Sequence, residues 1–191
     1  MGNKISSRKL NPKTMKELQK HIDVDFSAEE IQEWYKDFAQ HLGPGETALS
    51  RTSFIRVYNS LFDGDASEFA GQVFRTFDKD GNNVVDFKEF IIGLCISGSD
   101  NPNAKLKWAF EMYDIDQNGY ITEDEMNHIL KAICKMTSSK LPEGFTTVQD
   151  MTRHIFLVLD KNFDNRISLD EFIEGASKVQ IIVDILQCDP E

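Results

Sequence analysis

Three twelve-residue stretches repeat one pattern of oxygen-bearing side chains: 78–89 (DKDGNNVVDFKE), 114–125 (DIDQNGYITEDE) and 160–171 (DKNFDNRISLDE). Each has an oxygen side chain at positions 1, 3, 5, 9 and 12, an aliphatic residue at position 8 (Val85, Ile121, Ile167) and a closing Glu. A hard cation such as calcium takes about six to eight oxygens at roughly 2.3–2.6 Å, so a short loop must wrap around it with alternate positions facing inward. Position 7 offers a backbone carbonyl, position 9 works through a water, and position 12 gives both oxygens of a Glu that already belongs to the next helix. The spacing assigns Asp78, Asp80, Asn82, the Val84 carbonyl, Asp86 and Glu89 to the first site. The second takes Asp114, Asp116, Asn118, the Tyr120 carbonyl, Thr122 and Glu125. The third takes Asp160, Asn162, Asp164, the Arg166 carbonyl, Ser168 and Glu171. Four carboxylates crowded into 78–89 repel one another unless a cation lies between them. Three calcium sites are therefore expected, and magnesium at rest is compatible with the same donors.

Position 6 needs a sharp turn, for which Gly is the expected residue. Only Gly119 meets this; Asn83 and Asn165 take the other two places, and Asn is the next most tolerant of positive φ. The 114–125 site is thus the best formed of the three by sequence. The position-8 aliphatics should pair the loops through a small strand contact.

Such loops need helices on both sides, and the apolar spacing supplies them. Phe69, Val73, Phe74 and Phe77 precede the first loop, and Leu106, Ala109, Phe110 and Tyr113 form a stripe before the second. MTRHIFLVL and LDEFIEGA bracket the third. Helix–loop–helix around a calcium loop is the EF-hand. A fourth unit lies 36 residues before Asp78, in LGPGETALSRTS, with Leu42 at position 1 and Ser53 at position 12. Neither residue is a carboxylate, and Glu46 is the sole acid, so no cation is expected there. The GPGETA inside it follows a helical pattern instead of a strand and is no dinucleotide fingerprint. The expected architecture is all-α: four EF-hands in two paired lobes, 1–97 and 102–191, joined by a hinge at 98–101, with short β contacts between paired loops and a helix at the C-terminus. Ser27 and Glu30 predict a capping box, and Phe26 with Ile31 a hydrophobic staple. The stretch 137–147 reads as the connection between the last two hands.

The 191 residues carry 32 acidic against 21 basic side chains, a formal charge of −11, which argues against nucleic acid as a partner. No apolar run reaches the roughly 18 residues of a membrane span, and the polar, basic start has no signal-peptide core. Three scattered cysteines, Cys95, Cys134 and Cys188, fit a reducing, cytoplasmic setting better than a disulfide framework. No Ser-His-Asp, Cys-His or phosphate-loop arrangement is present, so an enzyme is not expected.

The chain opens MGNKISSRK, placing Gly2 and Ser6 at the spacing of N-myristoylation. Lys4, Arg8, Lys9, Lys13, Lys16 and Lys20 oppose only Glu17 in the first 20 residues, a basic cluster suited to reinforcing one acyl chain on a membrane. A solvated helix face is the plainer account of these lysines. The first lobe is rich in apolar residues: Phe26, Trp34, Phe38, then Phe54, Val57, Tyr58, Leu61 and Phe62 at helical spacing, then Phe90 and Leu94. They are either interior or a groove that opens to hold a target helix or a lipid chain.

MGNK, WYKDF, GDASEFAGQVFRTFDKDG, DFKEFI, LKWAFEMYDID, LDEFIEG and LQCDP together resemble the neuronal calcium sensor family from end to end. DASEFA and LQCDP are most similar to its visinin-like, hippocalcin and neurocalcin branch. The resemblance implies four EF-hands with a disabled first loop, acylation of Gly2, and a switch that frees the lipid with calcium. It also implies that the apolar residues named above form the groove. Targets implied are an amphipathic helix of a membrane guanylate cyclase, receptor kinase, channel or trafficking protein, with reversible membrane association; a homodimer is compatible. The family's first loop reads C-P-x-G, whereas this chain has Leu42-Gly43-Pro44-Gly45 and a slightly longer loop. A calcium buffer, or a constitutive enzyme subunit in the manner of calcineurin B, are the alternatives to a sensor.

Overall fold

A computed structural model describes residues 27–97, 101–138, 141–142 and 144–176. Gly2, Phe26 with its staple, the basic N-terminal cluster, hinge residues 98–100 and the C-terminal helix expected after 176 lie outside the described residues.

Eight helices and four two-residue strands follow one another among the described residues: α1 (Ala28–Gln40), β1 (Leu49–Ser50), α2 (Arg51–Asn59), α3 (Ser67–Phe77), β2 (Val84–Val85), α4 (Phe87–Ser97), α5 (Pro102–Tyr113), β3 (Tyr120–Ile121), α6 (Glu123–Thr137), α7 (Val148–Leu159), β4 (Ile167–Ser168) and α8 (Leu169–Ala176). Caps fix most of the starts. Ser27 and Glu30 form a reciprocal capping box on α1, Thr122 and Glu125 form another on α6, and Thr147 caps α7. Asn101 caps α5, whose Pro102 stands where a missing N–H costs nothing.

The hands pair through their loops. β1 runs antiparallel to β2 with Leu49 opposite Val85, and β3 runs antiparallel to β4 with Ile121 opposite Ile167. All four position-8 side chains are buried. The first loop keeps this register although its helix α1 ends earlier. α1 is capped at His41, eight residues before Leu49, whereas α3 is capped at Asp78, seven before Val85.

The interior is aromatic in the first pair of hands. Phe54 meets Phe74 and Phe77 edge-on at 5.5 Å, and Phe38 meets Phe87 at 5.5 Å. In the second pair Phe172 lies 5.8 Å from Phe110 and 5.9 Å from Tyr113. The two cores are continuous, and Phe77 faces Trp108 at 6.4 Å across the seam where α3 and α4 meet α5 and α6.

One helix is shorter than its periodicity predicts. The apolar spacing extends through Leu61 and Phe62, yet α2 stops at Asn59. The Ser60 hydroxyl donates to the Val57 carbonyl at 2.6 Å, and the amides of Ser60 and Leu61 turn back on Val57 and Tyr58. The Asn59 side chain then accepts from the Ala66 amide at 2.6 Å, closing the turn into α3. Local polar competition outweighs the apolar pattern here.

Candidate metal centres

Each twelve-residue loop begins on the last turn of one helix and ends on the first turn of the next. Asp78, Asp114 and Asp160 are the C-caps of α3, α5 and α7, and each amide donates to a Phe carbonyl four residues back at 2.9 Å. Their carboxylates therefore stand beside the partial negative charge of a helix end. Asp114 and Asp160 are buried.

The 114–125 loop is closed by its own carboxylates. Asp114 accepts from the amides of Asn118 at 3.0 Å and Gly119 at 2.9 Å. Asp116 accepts from the amide and side chain of Asn118, and Asn118 Oδ1 from the Tyr120 amide at 2.9 Å. Glu125 reaches back across the loop: Oε1 accepts from the Ile115 amide at 3.0 Å, and Oε2 from the Thr122 amide at 2.8 Å and hydroxyl at 2.6 Å. The 78–89 loop repeats this frame except for the hydroxyl bond, since Asp86 stands where Thr122 does. Asp78 accepts from Asn82 and Asn83, Asn82 Oδ1 from Val84, and Glu89 from Lys79 and Asp86, all between 2.9 and 3.0 Å. Asp86 in turn accepts from the Glu89 amide at 2.9 Å.

In both loops three carboxylates converge. One oxygen each from Asp78, Asp80 and Glu89, and one each from Asp114, Asp116 and Glu125, lie within 4.8 Å of one another. Burial pushes the Glu89 carboxyl above its ordinary value, and the charges of Asp86 and Asp80 add to this against the hydrogen bonds that oppose it. Crowded like charges, partly withdrawn from water and presented only as oxygens, are the donor set of a hard divalent cation. The residues fit calcium.

The 160–171 loop has the same hydrogen-bond frame with a weaker centre. Asp160 accepts from the Asn165 amide at 3.0 Å, Asn162 Oδ1 from Asp164 at 2.9 Å, and Glu171 from the Ser168 amide at 2.9 Å and hydroxyl at 2.7 Å. For Glu171, burial raises the carboxyl's affinity for a proton, but the bonds from Ser168, Asn162 and Lys161 outweigh it and hold the group below its ordinary value. Asn162 replaces a carboxylate at position 3. Arg166 Nη2 sits 3.7 Å from Asp164 Oδ2 while its guanidinium stacks 4.5 Å over the Tyr120 ring.

Backbone conformation exposes a demand that sequence reasoning missed. Position 6 is left-handed in all three loops, with φ of 65° at Asn83, 87° at Gly119 and 63° at Asn165. Position 4 is left-handed as well: Gly81 at 69°, Gln117 at 59° and Phe163 at 58°. Loops 78–89 and 114–125 each place one Gly on these two turns, whereas 160–171 places none.

The first loop is held shut without metal ligands at its ends. Glu46 folds onto its own loop, where its Oε2 accepts from the Gly43 amide at 2.8 Å. Ser50 accepts from the Ser53 amide at 3.2 Å, the same cap that Thr122 offers Glu125. Leu42 packs against the core.

The residues expected to line a groove divide by burial. Phe38 and Phe54 are core; Trp34, Val57, Tyr58, Phe62 and Phe90 are half-buried; Leu61 and Leu94 are 50% and 46% exposed. Among the described residues no helix is long and apolar enough to cross a membrane.

Comparison with known proteins agrees with this geometry. Residues 48–92 and 103–177 each match the family model of an EF-hand domain pair. The chain is similar to recoverin of Homo sapiens, 34% identical with 100% of this chain and 96% of that protein covered. It is 37% identical to neuronal calcium sensor 1 of Lymnaea stagnalis, covering 99% and 98%, and 35% identical to guanylyl cyclase-activating protein 2 of Gallus gallus, covering 90% and 86%. The near-level identities favour no single branch among these relatives.

Proposed function

The chain belongs to the neuronal calcium sensor family, and on that footing we propose that it is a three-site calcium sensor that regulates a target protein at a membrane. The observation that carries this is the convergence of Asp114, Asp116 and Glu125, repeated by Asp78, Asp80 and Glu89, with the last Glu of each loop on the first turn of an exit helix. Asp78, Asp80, Asn82, Val84, Asp86 and Glu89 would hold one ion, and Asp114, Asp116, Asn118, Tyr120, Thr122 and Glu125 a second. Asp160, Asn162, Asp164, Arg166, Ser168 and Glu171 would hold a third, the weakest because of its Asn162, its strained turns and the Arg166 charge beside Asp164. Bound calcium supplies the divalent charge that offsets the repulsion among these carboxylates.

Because Glu89, Glu125 and Glu171 belong to both loop and helix, drawing them inward changes the angle between the helices of each hand. Opening of the first pair would bring Phe38 and Phe54 out beside Leu61 and Leu94, making an apolar face for an amphipathic helix or an acyl chain. Acylation of Gly2 and the basic residues that follow it would hold the chain reversibly to the cytoplasmic face of a membrane. A guanylyl cyclase is one candidate target, by the name of the relative that activates one.

Co-sedimentation of the acylated full chain with anionic liposomes tests this reading. Recruitment with calcium and release with chelator are expected, and Glu125→Gln should remove one calcium from the calorimetric stoichiometry and weaken recruitment. Unchanged stoichiometry would refute the loop assignment. Equal sedimentation in both conditions would reduce the protein to a buffer or a constitutive subunit.

A further inference from the structure

The first pair of hands grips the second at the carbonyl ends of both helices that flank loop 114–125. One grip is Arg75, on the last turn of α3 and three residues before Asp78. Its Nη1 donates to the Asp114 carbonyl at 2.9 Å, and its Nη2 to the carbonyls of Glu111 at 3.0 Å and Met112 at 2.9 Å. Its Nε donates to Gln72 at 3.1 Å, which orients the fork. The last carbonyls of a helix lack partners within the helix and carry partial negative charge, so a planar cation with several donors is well matched to them. Lys79 joins Glu111 at 2.7 Å beside this point.

The other grip is on α6. The Gly64 amide, in the turn before α3, donates to the Met136 carbonyl at 3.1 Å, and Glu68 on α3 meets Lys135 at 2.7 Å. The entering and leaving helices of loop 114–125 are thus both fastened, by their C-terminal ends, to α3 and its leading turn. The same α3 delivers Asp78, the first residue of loop 78–89.

We propose that Arg75 is a positioning residue that couples loops 78–89 and 114–125 across the seam, so that filling one raises the calcium affinity of the other. A hand responds to its ion by shifting its helices. A shift of the α3 end at Asp78 carries Arg75 with it, and Arg75 holds the carbonyl of Asp114, the first residue of the other loop. Among the described residues the first pair makes no comparable bond to loop 160–171, which is tied instead to loop 114–125 through β3 and β4, so any effect on it passes through loop 114–125. The inference rests on the reading that both loops bind calcium.

The test is a thermodynamic cycle on the full chain with calcium as the probe. Occupancy of loop 114–125 is read from the Gly119 amide by NMR, in the native chain, Glu89→Gln, Arg75→Met, and the two together. In the native background Glu89→Gln should lower the affinity read at Gly119 about fivefold or more, the scale of ordinary site-to-site coupling. With Arg75→Met the same substitution should change it less than about twofold. Arg75→Lys keeps the charge and stem without the fork; it should also lose most of the coupling, and it serves if the Met variant fails to fold. An undiminished effect of Glu89→Gln in both Arg75 variants, or no effect in the native chain, overturns the proposal. Failure of the loop assignment shows separately, as a Glu89→Gln chain that still binds its full complement of calcium by calorimetry.

Discussion

Phe163 holds a left-handed backbone at φ 58° while the residue is 76% exposed, so it bears a conformational cost with little burial to offset it. A left-handed L-residue costs about 1–2 kcal/mol. Phe163→Gly should therefore raise the thermal midpoint of the chain in calcium and tighten the 160–171 loop severalfold in a calcium titration. Gly119→Ala, at φ 87°, should loosen the 114–125 loop by a similar amount in the same titration. The oxygen-bearing positions are legible because their chemistry repeats at fixed spacing. Position 4 is not, because Gly81, Gln117 and Phe163 share no chemistry; loop closure alone imposes their common φ. Two thiols, Cys95 and Cys134, are half-buried. Burial pushes Cys95 and Cys134 above the ordinary thiol value, so less thiolate exists near neutral pH and reaction accelerates only at more alkaline pH. Alkylation followed by mass spectrometry should be slower for both in the native chain than in urea at neutral pH.

At the scale of elements, caps decide where helices begin. Thr122 closes the start of α6 against Glu125, and Thr122→Ala should cost about 1 kcal/mol in urea denaturation of the calcium-free chain. On α1, the backbone amide and hydroxyl of Ser27 hold the Glu30 carboxyl below its ordinary value. A depressed carboxyl contributes stability that is present above the ordinary carboxylate range and fades as pH falls through the lowered value. The protection factor of the Ile31 amide, its exchange relative to the free-peptide rate at the same pH, should therefore fall on acidification, and Ser27→Ala should lower it at neutral pH and flatten that dependence. The Ser27 box is legible in the sequence as Ser-x-x-Glu, whereas Thr122 and Glu125 read there only as metal ligands, and the structure adds their capping role. The end of α2 is not legible: Leu61 and Phe62 continue the apolar spacing, and only the bonds of Ser60 and Asn59 stop the helix.

At the scale of the molecule, the seam between the pairs depends on a close approach at Gly64. A Cβ there would stand 2.2 Å from the Lys135 carbonyl oxygen and 2.4 Å from that of Met136. Both obstacles are backbone, so Gly64→Ala should force the pairs apart and destabilise the chain by about 1–3 kcal/mol in urea, with a larger radius by small-angle scattering. Nothing at FDGD, residues 62–65, marks this position in the sequence as more than a turn.

The sequence by itself determined the register of the hands, the three oxygen-lined loops, the first loop's want of terminal carboxylates and the position-8 pairing. Each of these is a short-range pattern written within a dozen residues. Tertiary structure decided the rest: which aromatic residues are core, and how Arg75 caps a helix whose last carbonyls lie 36 to 39 residues away. A guanidinium has no sequence signature for the carbonyls it will meet, because that partner exists only once two separately patterned helices have packed end against side.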